Sequence, residues 1–93
     1  MIIGLLTIEI YLPYSHSLKE KRKALRSLKD RLAKKFNIAF AELDYHNKWQ
    51  RSLLGMVTLN NQKRIIESLF EKILQDTEKN LEGQIIHSKI NYL

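Results

Sequence analysis

The amino-acid sequence predicts an α+β fold, one layer of helices packed on one antiparallel sheet. Three observations carry this: two stretches whose apolar residues recur every three to four positions, four that alternate every second position, and their order along 93 residues. In residues 2 to 12, Ile2, Leu6, Ile8, Ile10 and Leu12 fall on one side and Thr7, Glu9 and Tyr11 on the other, the pattern of a strand with one buried face. Pro13 lacks a backbone donor and ends that strand. Ser17-Leu18-Lys19-Glu20 then spells a capping box, in which the Ser and Glu side chains satisfy free amides at a helix start. A helix is therefore expected from Leu18, with Leu18, Leu25, Leu28, Leu32 and Phe36 on one stripe and Asn37 as its stop.

Residues 38 to 44 read as a second strand, residues 45 to 51 as a polar connection, and residues 52 to 60 as a third strand. Asn60 or Asn61 is the expected cap of a second helix, whose apolar face holds Ile65, Ile66, Leu69, Phe70, Ile73, Leu74 and Thr77. Gly83 punctuates, and residues 85 to 92 alternate as a closing strand with Ile86, Ile90 and Tyr92 on one side. The order strand, helix, strand, strand, helix, strand is a split βαβ unit used twice. Right-handed crossovers make it ferredoxin-like: a four-stranded antiparallel sheet, both helices on one face, strands one and three central. Residues 1 to 93 are read as one such domain. Gly4 and Gly55 fall inside the central strands, where close packing is expected. Depending on register, Ile3, Leu5, Leu54 and Met56 leave an apolar patch on the uncovered sheet face, a surface suited to a homodimer.

The composition narrows the chemistry. With no cysteine, the chain has no thiolate nucleophile, disulfide or cysteine-based metal site, and the cytoplasm is the expected compartment. The apolar start, Met1 to Leu6, reaches Glu9 long before the roughly 20 residues of a membrane span and has no basic leader, and the apolar stripe of the first helix is needed for the core rather than for lipid, so no membrane association is expected. No two glycines lie close enough for a phosphate loop, and no serine stands on a glycine turn beside a His and carboxylate pair. The third strand lacks the stacking aromatics of an RNA-recognition motif. Glu42, Asp44 and His46 are spaced two apart, so a continuing strand would send all three to one side as hard metal ligands. Polar residues at a strand end explain the same run, and no cofactor is expected. His16 and His87 are isolated and read as surface residues.

Charge is the most informative feature. The chain carries a net +6, and residues 18 to 36 alone hold nine Lys or Arg against two acids. At 100° per residue Lys19, Arg22, Lys23 and Arg26 share an outward flank of the first helix, with Lys29 and Lys34 beside them. Several stand in the first turns, where the helix dipole disfavours cations, so stability alone would not put them there. Ser17, Lys19 and Arg22, with the free amides of that turn, form a candidate anion dock. The bland alternative is a solvated face, with Asp30 pairing Arg26 and Lys34 at i,i+4. Lys21 points to the apolar side and is expected to snorkel at the helix edge. Trp49 reads first as closing the end of the core, and second as an indole offered, with Arg51, to a base or a partner.

With Ser17-Leu18-Lys19-Glu20-Lys21-Arg22, Lys35-Phe36-Asn37-Ile38 and Trp49-Gln50-Arg51 in view, the chain resembles the YlxP-like family of small bacterial proteins. Ile3 to Leu6, Ala41-Glu42 and Gly55 extend the resemblance over the full length. It implies a ferredoxin-like fold and a cytoplasmic bacterial setting, with no catalytic assignment. Family genes often neighbour those for translation initiation and ribosome maturation, which by association implies an RNA connection. The expected function is a non-enzymatic accessory protein contacting RNA or a ribosomal particle through Lys19, Arg22, Lys23, Arg26 and Lys29, with Arg51 secondary. The alternative is a homodimeric interaction module using the open sheet face. A metal-dependent enzyme at Glu42, Asp44 and His46 ranks last.

Overall fold

A computed structural model describes residues 1–93. Its elements are β1 (Ile2–Tyr11), α1 (Leu18–Lys35), β2 (Ala39–Asp44), β3 (Arg51–Asn60), α2 (Lys63–Asn80) and β4 (Gln84–Tyr92). The four strands form one antiparallel sheet in the order β2-β3-β1-β4, the ferredoxin-like arrangement read from the sequence. β1 and β3 pair along their whole length, Ile2 opposite Asn60 through Tyr11 opposite Arg51. Residues directly opposite one another share a face, so this register decides which side chains meet the helices.

Leu6, Ile8 and Ile10 of β1 and Leu54 and Met56 of β3 meet Leu25, Leu28 and Leu32 of α1 and Ile66, Phe70 and Ile73 of α2 in one core. Leu54 and Met56 are therefore fully buried, and their expected place on the uncovered face is corrected. The residues of β3 that face outward are Leu53, Val57 and Leu59, opposite Glu9, Leu5 and Ile3 of β1. A period-two strand has only two phases, and the sequence pattern of residues 53 to 59 is apolar in both. Only the pairing with β1 separates them.

The closing strand required a similar correction. The β1–β4 register slips between Glu9 and Ile10, placing Glu9 opposite His87 but Ile10 opposite Ile85. The extra residue in this bulge is Ile86, which is exposed, while Ile85 joins Tyr92 against the core. At the start of α2, Gln62 rather than an asparagine occupies the N-cap and its side chain caps nothing. Asn60 instead accepts from the Gln62 amide at 2.9 Å, closing the turn before the helix.

Both strand glycines have packing roles. A Cβ on Gly4 would stand 2.6 Å from Ile66 Cγ2 and 2.9 Å from Phe70 Cε2, so its absence lets α2 settle onto β1. On the other face, a Cβ on Gly55 would stand 2.7 Å from Leu43 Cδ1, whose side chain lies over the glycine. No helix is long and apolar enough to cross a membrane.

Candidate nucleic-acid interface

The capping box forms as spelled. Ser17 Oγ accepts from the Glu20 amide at 3.1 Å, and Glu20 Oε2 accepts from the His16 amide at 2.7 Å. With Lys21 N donating to Ser17 O, the amides of Leu18 and Lys19 are those left without a protein acceptor. The anion dock of Ser17, Lys19 and Arg22 thus combines two free amides and two cations with one adjacent carboxylate, Glu20.

Of the nine cations between residues 18 and 36, three are consumed by the fold. Arg31 Nε and Lys35 Nζ both bond Asp76 of α2, at 2.9 and 2.6 Å, and tie the C-terminal half of α1 to α2. Lys21 is the third. The other six, Lys19, Arg22, Lys23, Arg26, Lys29 and Lys34, are exposed and have no carboxylate within salt-bridge distance. Asp30 pairs with neither Arg26 nor Lys34. From Lys19 to Lys34 this array runs roughly 22 Å along the helix. A surface cleft of about 550 Å³ runs beside its later turns, where Lys23, Arg26 and Lys34 meet Ser27, Asp30, Arg31 and Lys35 without one apolar side chain.

Lys21 occupies a position the sequence reading missed. It does not snorkel: it is 1% exposed, and its ammonium donates to the carbonyls of Tyr45 (2.7 Å), Arg51 (3.3 Å) and His46 (3.4 Å) and pairs with Glu42 Oε2 at 2.9 Å. Glu42 also accepts from the buried Ser52 hydroxyl at 2.6 Å. Burial pushes the Glu42 carboxyl upward, but the Ser52 hydrogen bond and the Lys21 ammonium outweigh it and hold the pKa below the ordinary glutamate value. A signal existed: Lys21 lies in the Leu18, Leu25, Leu28, Leu32 stripe, and Glu42 alternates in phase with the half-buried Phe40. One opposite charge on each of two apolar faces predicts a buried pair, since neither is stable there alone.

This pair shapes the β2–β3 connection. Tyr45 adopts a left-handed backbone, φ 65°, a conformation costing a non-glycine residue of order 1 kcal/mol. In that conformation its carbonyl receives both the Lys21 ammonium and the Lys48 amide, the latter at 2.9 Å. Asp44 Oδ1 accepts from the Tyr45 amide at 2.7 Å. The register also slips at Leu43, between Glu42 and Asp44. Glu42 is thereby spent on Lys21 and Ser52, Asp44 on the turn, and no group of three His, Asp or Glu residues assembles with metal-holding geometry.

Arg51 is less available than the helix cations. Its Nε and Nη2 both bond Glu9 Oε2, at 2.9 and 2.7 Å, and the guanidinium lies 4.2 Å from the Tyr45 ring centroid. Trp49 does not close the core; it is 54% exposed at the tip of the connection.

The family described as "Protein of unknown function (DUF503)" matches residues 3–90. The chain belongs to that family. "Uncharacterized protein YlxP" of Bacillus subtilis (strain 168) is 30% identical over 73 residues, which span 78% of this chain and 79% of that relative. The resemblance read from Ser17 to Arg22 and Trp49 to Arg51 is confirmed at this level. Among solved structures, the de novo designed protein Ferredog-Diesel is similar with a TM-score of 0.48 and 12% identity, covering 96% of this chain and 83% of its own. LarC2, the C-terminal domain of a cyclometallase involved in the synthesis of the NPN cofactor of lactate racemase, in its apo form, gives 0.45 and 17%, covering 100% and 56%. The fold assignment rests on strand order and register rather than on these two likenesses.

Replacing Lys21 by Met leaves Glu42 without its counter-ion and takes the ammonium donor away from the Tyr45, His46 and Arg51 carbonyls, of which Tyr45 keeps the Lys48 amide. A loss of about 3 kcal/mol is expected in urea denaturation, with Glu42→Gln in the same background restoring part of it. A second expectation concerns acid. Burial raises the Asp76 carboxyl, but bonds from Lys35 and Arg31 win and hold it low, as Glu42 is held low. A carboxylate whose folded pKa is depressed stabilises the protein above its unfolded value and loses that contribution as pH falls through the folded one. Urea midpoints should therefore be level at neutral pH and decline below roughly pH 4, less steeply in a Glu42→Gln variant.

Proposed function

We propose that the protein is a non-enzymatic accessory factor that holds structured RNA, alone or in a ribosomal particle, through the phosphates facing α1. One observation carries this reading: six exposed cations on α1 have no carboxylate partner, although three others on the same helix are bonded to Glu42 or Asp76. Dispersed surface charge serves solubility, whereas an unneutralised row concentrates positive potential where a polyanion can lie. Lys19, Arg22, Lys23, Arg26 and Lys29 form the contact, with Lys34 continuing it. Arg51, closed onto Glu9, contributes from the edge. Phosphate contact alone carries no sequence preference, and none is expected from this helix.

A second reading, a homodimer through the open sheet face, is favoured by the apolar side chains left there. Leu59 is 62% exposed, Val57 and Leu43 are exposed, and Ile3, Leu5 and Leu53 are half-buried around them. The Glu9–Arg51 pair is closed within one chain. A second copy related by a two-fold axis would therefore meet this apolar surface, with Lys89 of β4 as the unpaired charge at its side.

Binding of a labelled RNA hairpin should weaken steeply with salt, by roughly 0.7 to 0.9 in the log–log slope for each phosphate contacted. Replacing Lys19, Arg22 and Arg26 by Gln should remove roughly two to three from that slope at unchanged urea stability. An affinity indifferent to salt would end the reading. For the second, light scattering should give about twice the 11.0 kDa chain mass, reverting to a monomer in Val57→Asp. A monomer at every concentration removes it.

A further inference from the structure

The β2–β3 connection carries a second feature that phosphate contact does not use. Trp49 is the chain's only tryptophan and stands 54% exposed, yet the backbone on either side of it is fixed. On one side Tyr45 and His46 are tied to the buried Lys21 ammonium, and Lys48 N bonds Tyr45 O. On the other, Gln50 O accepts from Leu12 N at 2.7 Å, and Gln50 Nε2 donates to Pro13 O at 3.0 Å. An indole on an anchored frame loses little further entropy when something stacks on it.

Around it, Tyr11, Asn47, Lys48, Gln50 and Arg51 complete an open cleft of about 440 Å³. It offers two exposed aromatic rings, Lys48 as a cation without a carboxylate partner beside the Glu9-paired Arg51, and the Asn47 amide beside a Gln50 amide already bonded to Pro13. Aromatic faces stack bases, cations meet the flanking phosphates, and an amide can read a base edge, which together is the chemistry that grips a splayed-out nucleotide. An apolar protein hot spot would instead be expected to offer aliphatic side chains beside the tryptophan, and this cleft has none. The Lys21 tie also sets the connection against the N-terminal half of α1, where Lys19 and Arg22 begin the cationic row.

We infer that this cleft stacks an unpaired nucleobase of the RNA whose phosphates lie along α1, with Trp49 as the platform and Lys48 at the adjoining phosphate. The inference rests on the phosphate-binding reading of α1 and narrows it to RNA with a loop, bulge or single-stranded end. Because Trp49 is the sole indole, tryptophan emission excited beyond the tyrosine band reports on this cleft alone.

The test uses two labelled RNAs of equal length, one a blunt duplex and one carrying an unpaired internal loop. Anisotropy reads binding, and tryptophan emission reads stacking. The looped RNA should quench Trp49 and the duplex should not. Trp49→Ala should weaken binding of the looped RNA tenfold or more while leaving duplex affinity and urea stability unchanged, and Trp49→Phe should recover most of the loss. Salt-sensitive binding of both RNAs without quenching, or equal quenching by both, overturns the base-stacking inference and leaves the phosphate reading standing. Absence of binding by either RNA in anisotropy removes both.

Discussion

The buried Lys21 ammonium is the constraint on which the site depends. A charge this far from water is stable only where its donors are met, and here three backbone carbonyls and one carboxylate meet them. Two of the carbonyls, those of Tyr45 and His46, come from the six-residue connection between β2 and β3, which has no regular structure of its own, and the third belongs to Arg51 at the start of β3, so the ammonium acts as the scaffold around which that connection closes. Tyr45 takes a left-handed backbone to supply one of them, and its ring then backs the Arg51 guanidinium. One interaction thus joins the first turn of α1, the end of β2 and the start of β3.

That arrangement divides the charges of α1 by function. Lys21, Arg31 and Lys35 face neighbours, Lys21 paired with Glu42 and the other two sharing Asp76. The remaining six lie on the solvent arc, free of any such partner. Cations near a helix N-terminus oppose the backbone dipole, so Lys19 and Arg22 add nothing to the helix by standing there. The Asp76 clamp and the Lys21 pair hold α1 at both ends, and a rigid helix presents its charges as a fixed row rather than as independent flexible tails.

The two faces of the sheet follow from register more than from composition. β3 is apolar on both sides, and its pairing with β1 sends Leu54 and Met56 inward and leaves Val57 and Leu59 outside. A bulge in β4 exchanges Ile86 for Ile85 against the core, and another at Leu43 ends the in-phase run of Glu42, Asp44 and His46. Each bulge inserts one residue, which is enough to reverse everything beyond it in a structure of period two.

Local chemistry in the sequence determined the element order, the capping box at Ser17, the apolar stripes of both helices and the cationic row, because each depends on neighbours within a few residues. The ferredoxin-like order followed, since few topologies accommodate two crossover helices on one side of a sheet. Tertiary structure alone decided which cations remain free, where Trp49 stands and which β3 residues face outward. Those outcomes hang on pairings between residues 21 and 42, 31 and 76, and 9 and 51, and on bulges that shift phase, and local periodicity names no partner for any of these residues. Lys21 and Glu42 came nearest to being legible: each interrupts an apolar face, and two opposite charges taken out of water are stable only together.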